Sequence, residues 1–225
     1  MRDFRSCKGY IFDLDGTLFD SMGLWAEVYR TALRRFGVEE VPADYIREVN
    51  CRSVSGGALY TAERFGLPAS AEDVIAVWKS IAGDAYASTV ELKEGAAELL
   101  ASLREAGKKI GIATALDESL ALPCFRRHGI PDVVHSFSTV AEAGKDKNFP
   151  DVYLLECEKL GLKPEECAVI EDSITGASTA AKAGFFTVGV TDAHADCPPE
   201  ELAAVTDVCV DSLAQLADVA DKEGF

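Results

Sequence analysis

Hydrophobic positions along this chain fall into short blocks whose period changes twice. Tyr10-Ile11-Phe12 is an unbroken apolar run, the pattern of a strand buried on both faces of a parallel sheet. Two aspartates, Asp13 and Asp15, and the turn residue Gly16 follow at once. From Phe19 to Thr89 the spacing is helical, and no strand is expected there. Ser21 caps a helix running to Phe36, with Leu24, Val28, Leu33 and Phe36 near one stripe and Gly37 as its stop. Pro42 opens a second helix through Val49, and a third covers Ala58 to Phe65. Ser70 caps a fourth that carries Val74, Val77, Trp78 and Ile81.

Beyond this stretch, helical and strand patterns alternate. Glu94 to Ala106, Ser119 to His128, Pro150 to Leu160, Ser173 to Ala183, Glu200 to Val205 and Ser212 to Ala220 read as helices. Pro123 is expected to bend or shorten the second of these. Lys108 to Thr114, Asp132 to Phe137, Cys167 to Ile170, Phe185 to Val190 and an edge strand Val208 to Val210 complete the pattern. Such alternation implies an α/β fold with helices on both faces of a parallel sheet. Ligands in these folds sit at the carboxyl ends of the strands, near the point where strand order reverses. Three strand ends are polar: Asp13 with Asp15, Thr114, and Glu171-Asp172-Ser173. Carboxylates ending a central strand are costly unless a cation meets them. Mg²⁺ beside a phosphate site is the expected answer.

Composition narrows the class. Hydrophobic residues make up 48% of 225, enough for one sizeable core plus a smaller insertion. Lys and Arg number 22 against 38 Asp and Glu, a formal charge of −16. That balance argues against nucleic acid or an anionic membrane as partner, and an anionic substrate would need local cations. No apolar stretch reaches the ~18 residues of a membrane span. The few residues ahead of the first strand are read as leaving no room for a signal peptide. Seven cysteines, an odd count without a Cys-x-x-Cys pair, read as free thiols. A cytoplasmic monomer or homodimer is therefore expected. His128, His135 and His194 share no ligand spacing and are assigned no role.

Asp13-Leu14-Asp15-Gly16-Thr17-Leu18 after its apolar strand resembles the first motif of the haloacid dehalogenase-like hydrolases. Three more motifs of that family follow in order. Thr114 ends the apolar run Ile110-Gly111-Ile112-Ala113. Lys147 precedes Pro150-Asp151, with Asn148 where the family usually has proline and Lys145 as an alternative. Val169-Ile170-Glu171-Asp172-Ser173 leads into Gly176. The resemblance implies a Rossmann-like doubly wound core over 1–18 and 93–225, with a small α-helical cap inserted over 19–92. It implies an Mg²⁺-dependent phosphatase acting on a small phosphorylated metabolite, of the sugar phosphate or phosphoglycolate type.

By the same resemblance, Asp13 is the nucleophile that forms an aspartyl-phosphate, and Asp15 is general acid and then general base. Asp13, Asp172, Glu171 through water, and the Asp15 carbonyl are the implied Mg²⁺ ligands. Thr114 and Lys147 hold the transferring phosphoryl group, with further donors from the N–H groups of Leu14, Asp15 and Ala115. The alternative is a β-phosphoglucomutase-like sugar-phosphate mutase using the same intermediate. Mutases of that kind carry a His in the first cap helix and an Arg in the next cap loop. A gapless match from Asp13 puts Trp25 and Val54 at or near those positions, which counts against a mutase. Dehalogenases lack the aspartate seen here as Asp15. Trp25 belongs to the cap core or the substrate wall. Of the cap cations Arg47, Arg52, Arg64 and Lys79, Arg52 is the first choice to meet an anionic leaving group.

Overall fold

The computed structural model describes residues 3–50, 52, 54–130, 132–192 and 198–220. Cys51, His194, Cys197 and the side chain of Arg47 lie outside that description. After a 3₁₀ turn (Phe4–Ser6) come β1 (Gly9–Phe12) and a two-residue strand β2 (Phe19–Asp20). Four helices follow: α1 (Met22–Arg35), α2 (Ala43–Asn50), α3 (Val54–Phe65) and α4 (Ala71–Ser88). Next come β3 (Glu91–Leu92), α5 (Ala96–Glu105), β4 (Lys109–Thr114), α6 (Glu118–His128), β5 (Ser136–Thr139), α7 (Val140–Ala143) and α8 (Asp151–Lys159). The remainder is β6 (Cys167–Glu171), α9 (Ile174–Lys182), β7 (Phe186–Val190), α10 (Pro199–Ala203), β8 (Val208–Val210) and α11 (Ala214–Ala220). No helix among the described residues is long and apolar enough to cross a membrane.

Six strands form one parallel sheet in the order β5-β4-β1-β6-β7-β8. From β1 the chain steps outward through β4 to β5, then returns to β6 on the other side. Strand order therefore reverses beside β1, the doubly wound Rossmann-like arrangement. The unbroken apolar strands have the reason anticipated for a sheet covered on both faces. Tyr10, Phe12, Ile112 and Ile170 point into one core, Ile11, Ala113 and Val169 into the other. Opposite faces alternate because successive strand side chains do.

The helices α1 to α4 pack around aromatic rings. Tyr29 and Trp78 meet edge to face with centroids 4.8 Å apart, and Tyr45 lies 5.0 Å from Phe65. Ser70 caps α4 through a box in which the Asp73 N–H donates to Ser70 Oγ at 3.2 Å and the Ser70 N–H donates to Asp73 at 2.9 Å. The chain enters this layer through β2 and leaves it through β3, and the two pair antiparallel, Phe19 with Leu92 and Asp20 with Glu91. That ribbon corrects the expectation of no strand between Phe19 and Thr89. Two residues per strand are too few to leave a period in the sequence. Pro123 sits inside α6 without ending it, and β5 begins at Ser136 rather than Asp132.

Candidate active site

Three carboxylates meet at the strand-order reversal. Asp13 follows β1 directly, and its N–H donates to Ile170 O of β6 at 3.0 Å. Glu171 ends β6 and Asp172 follows it. Asp13, Glu171 and Asp172 each offer an oxygen within 4.8 Å of the others, and all three are at least nine-tenths buried. Lys147 lies between two of them, 2.5 Å from Asp13 Oδ1 and 2.5 Å from Glu171 Oε1. Tyr153 of α8 donates to Glu171 Oε1 at 2.7 Å, and Ser173 donates to Oε2 at 2.8 Å. Asp172 accepts from the Thr17 hydroxyl at 3.4 Å, and among the described residues it has no ion pair.

Burial and like charge set the protonation of this group. Burial lifts the Asp13 carboxyl to about 7, with Lys147 opposing and Glu171 and Asp15 reinforcing. Asp172 is raised well above the usual range by burial and by the charges of Glu171 and Asp13. Burial pushes on Glu171 too, yet Lys147, Tyr153 and Ser173 outweigh it and hold its carboxyl low. Burial likewise opposes charge on Lys147, but Asp13 and Glu171 keep the ammonium above its ordinary value. One ammonium among three buried carboxylates leaves the cluster a cation short. An all-oxygen donor set of this kind fits a hard divalent ion.

Glycine shapes the walls. Gly16 has φ +82°, and a Cβ there would lie 2.1 Å from Asp172 Oδ2, so only glycine brings this turn against that carboxylate. A Cβ on Gly176 would lie 2.5 Å from the Glu171 carboxyl carbon. Thr114 ends β4 beside β1, fully buried, and its Oγ1 accepts the Leu116 N–H at 3.0 Å. Among the described residues its own hydroxyl hydrogen has no acceptor. Among the described residues, the N–H groups of Leu14, Asp15 and Ala115 have no acceptor. Free N–H groups at adjoining strand ends suit an anion.

Asp15 stands slightly apart. Its Oδ1 accepts from Ser21 Oγ at 2.6 Å and from the Tyr86 hydroxyl, and Trp25 Nε1 donates to Tyr86 at 3.0 Å. Burial raises the Asp15 carboxyl against these donors. Ser21 precedes α1 but makes no side-chain cap bond; its hydroxyl goes to Asp15 instead. A cavity of about 860 Å³ opens over Asp15, walled by Met22, Trp25, Tyr29, Val54, Ile75 and Trp78. Ala115 and Lys145 also line it. Both of its lysines are engaged: Lys79 with Asp117 at 2.5 Å and Lys145 with Asp151 at 3.0 Å. Arg52 is not among its walls. It pairs with Glu48 at 3.4 Å and lies 4.1 Å over the Tyr60 ring. Lys79 is the cation that α4 brings to the cavity, a role the sequence could not single out. The sequence marks Ser21 only as a helix cap and gives Tyr86 and Tyr153 no site role. Tyr86 is 71 residues from Asp15, and no local spacing connects them.

A doubly wound α/β enzyme core with acids gathered at its switch point is thereby defined. The chain belongs to the haloacid dehalogenase-like hydrolases, whose family model matches residues 7–184. It is 30% identical to hexitol phosphatase A of Escherichia coli over 85% of this chain and 86% of that one. It is 28% identical to the N-acetylmuramic acid 6-phosphate phosphatase of Pseudomonas aeruginosa, covering 96% and 95%. A β-phosphoglucomutase of Clostridium difficile shares the fold, with TM-score 0.75 at 21% identity over 93% of each chain.

Proposed function

We propose that this enzyme is an Mg²⁺-dependent phosphatase that hydrolyses a small phosphorylated sugar or polyol in the cytoplasm. The observation that carries the reading is Lys147 bridging Asp13 and Glu171, with Asp172 beside them, at the reversal of strand order. A phosphate monoester resists attack because nucleophile and target are both anionic, so positioning and charge neutralisation supply most of the rate. Asp13, held by Lys147, attacks phosphorus and becomes an aspartyl-phosphate as the bond to the leaving oxygen breaks. Asp15 gives that oxygen its proton. It then takes one from the water that cleaves the aspartyl-phosphate and frees inorganic phosphate. Thr114 and the N–H groups of Leu14, Asp15 and Ala115 hold the phosphoryl oxygens. Asp13, Glu171, Asp172 and the Asp15 carbonyl would hold Mg²⁺, which when bound supplies positive charge to those oxygens.

The helices of 19–92 act as a cap hinged at the β2–β3 ribbon, and they place the leaving group against an apolar, aromatic wall. Lysines already paired with Asp117 and Asp151 favour a neutral, hydroxylated leaving group over one bearing a carboxylate, as phosphoglycolate does. Trp25, where a mutase would carry His, and Val54, near the place of its Arg, line this wall and favour hydrolysis over phosphoryl return. A phosphate-release screen over sugar, polyol and carboxylated phosphate esters tests the reading. Release from a sugar or polyol phosphate with Mg²⁺, abolished in Asp13→Asn, is expected. Retention of phosphate as a bisphosphate would identify the mutase instead.

A further inference from the structure

The chain Trp25–Tyr86–Asp15 has a fixed direction. An indole N–H only donates, so Tyr86 accepts from Trp25 and must turn its own hydrogen to Asp15 Oδ1. Ser21 donates to the same oxygen. With Oδ1 occupied by two donors, a proton on Asp15 resides on Oδ2. Tyr86 is fully buried on α4, Trp25 is on α1, and Asp15 follows β1, so the contact spans both sides of the β2–β3 ribbon.

We infer that Tyr86 and Ser21 are positioning residues for proton transfer, fixing Oδ2 of Asp15 as the oxygen that protonates the leaving group. The inference rests on the phosphatase reading of this site. As the P–O bond breaks, the proton on Oδ2 passes to the departing oxygen. The negative charge left on the carboxylate then meets the hydroxyls already aimed at Oδ1. Because Tyr86 rides on α4, the acid is aligned only while α4 lies over the core. Proton donation is thereby coupled to the cap holding the leaving group.

Leaving-group dependence separates this role from mere packing. A nitrophenolate departs without a proton, whereas an alkoxide needs one. Tyr86→Phe keeps the ring and removes the hydroxyl; Ser21→Ala removes the other donor and leaves α1 without loss of a cap bond. Both are assayed with Mg²⁺ on a hexitol phosphate and on p-nitrophenyl phosphate. The expected result is a fall in kcat/KM, which reports the step in which the leaving group departs, of about 10-fold or more on the alkyl ester, part of the ~10²–10⁴ that acid–base catalysis supplies. On the aryl ester kcat/KM stays within about twofold, since its leaving group asks nothing of the acid and the later hydrolysis of the aspartyl-phosphate, where Asp15 is the base for both esters, does not enter that ratio. Equal losses on both esters, or no loss on either, in variants that keep the wild-type melting temperature overturn the assignment. If Tyr86→Phe does not fold, the Ser21→Ala comparison decides by the same criterion. Wild-type protein that releases phosphate from neither ester overturns the phosphatase reading itself, and the assignment with it.

Discussion

Single residues carry two demands at this site, that a backbone turn be possible and that buried charges be met. Gly16 answers the first. Alanine there would take on a left-handed backbone, costing about 1–2 kcal/mol, and its Cβ would collide with Asp172. Gly16→Ala is therefore expected to lower the urea midpoint and to lose phosphate release together. A variant as stable and active as wild type would show that the turn does not hold Asp172 in place. Lys147 answers the second. Its removal leaves Asp13 and Glu171 buried without their ammonium, and breaking such a pair typically costs about 3–5 kcal/mol. Lys147→Met should thus lose stability as well as turnover, measured by denaturation and phosphate release. Loss of turnover alone would mean that the ammonium serves chemistry without supporting the fold. Asp13→Asn is nearly isosteric and leaves Lys147 an acceptor; it should keep the fold and lower phosphate release by roughly 10³-fold or more.

Elements show where sequence was sufficient and where it was not. The runs at β1, β4 and β6 are legible because burial on both faces leaves no polar residue until the strand ends, and Asp13, Thr114 and Glu171 stand at those ends. The β2–β3 ribbon and the four-residue α7 are too short to impose a period. Contacts such as Tyr86 with Asp15, or Tyr153 with Glu171, depend on how whole helices pack, which no local pattern encodes. Glu156 is another such case. It sits on α8 with no exposure and accepts from Ser136 and from Ser138, the latter at 2.7 Å, both on β5. Burial raises its carboxyl above the ordinary value despite those hydroxyls. A raised folded-state value means that the folded chain binds this proton more tightly than the unfolded chain does. The resulting stabilisation is full below the ordinary value of 4.5 and is lost as pH rises through the folded value. Glu156→Gln should therefore gain on wild type as pH rises from 5 to 8, in urea denaturation run at both ends. A stability difference that stays constant with pH would show that Glu156 is ionised in the folded protein throughout.

On the scale of the whole molecule, the fold concentrates charge that it does not itself balance. The chain carries −16 overall, and three of its acids lie buried within 4.8 Å of one another around a single ammonium. A divalent ion that binds only the folded state stabilises it by mass action, by about 2.7 kcal/mol when its free concentration is ~100 times its Kd. In a chain of this size that corresponds to a rise of roughly 5–10 °C in melting temperature. Any salt also screens so acidic a surface, so MgCl₂ must be compared with NaCl at matched ionic strength. Asp172 separates the two effects. Among the described residues it is the acid of the three without an ion pair, and it accepts from the Thr17 hydroxyl. Burial and the charges of Asp13 and Glu171 already favour a protonated Asp172 when no Mg²⁺ is bound, so Asp172→Asn costs the metal-free fold no charge and the variant should melt no lower than wild type. It should also lose most of the Mg²⁺-specific rise while keeping the general salt effect. An unchanged Mg²⁺ shift in Asp172→Asn would place the ion elsewhere, and a large fall in its metal-free melting temperature would show that Asp172 supports the fold through its charge rather than straining it.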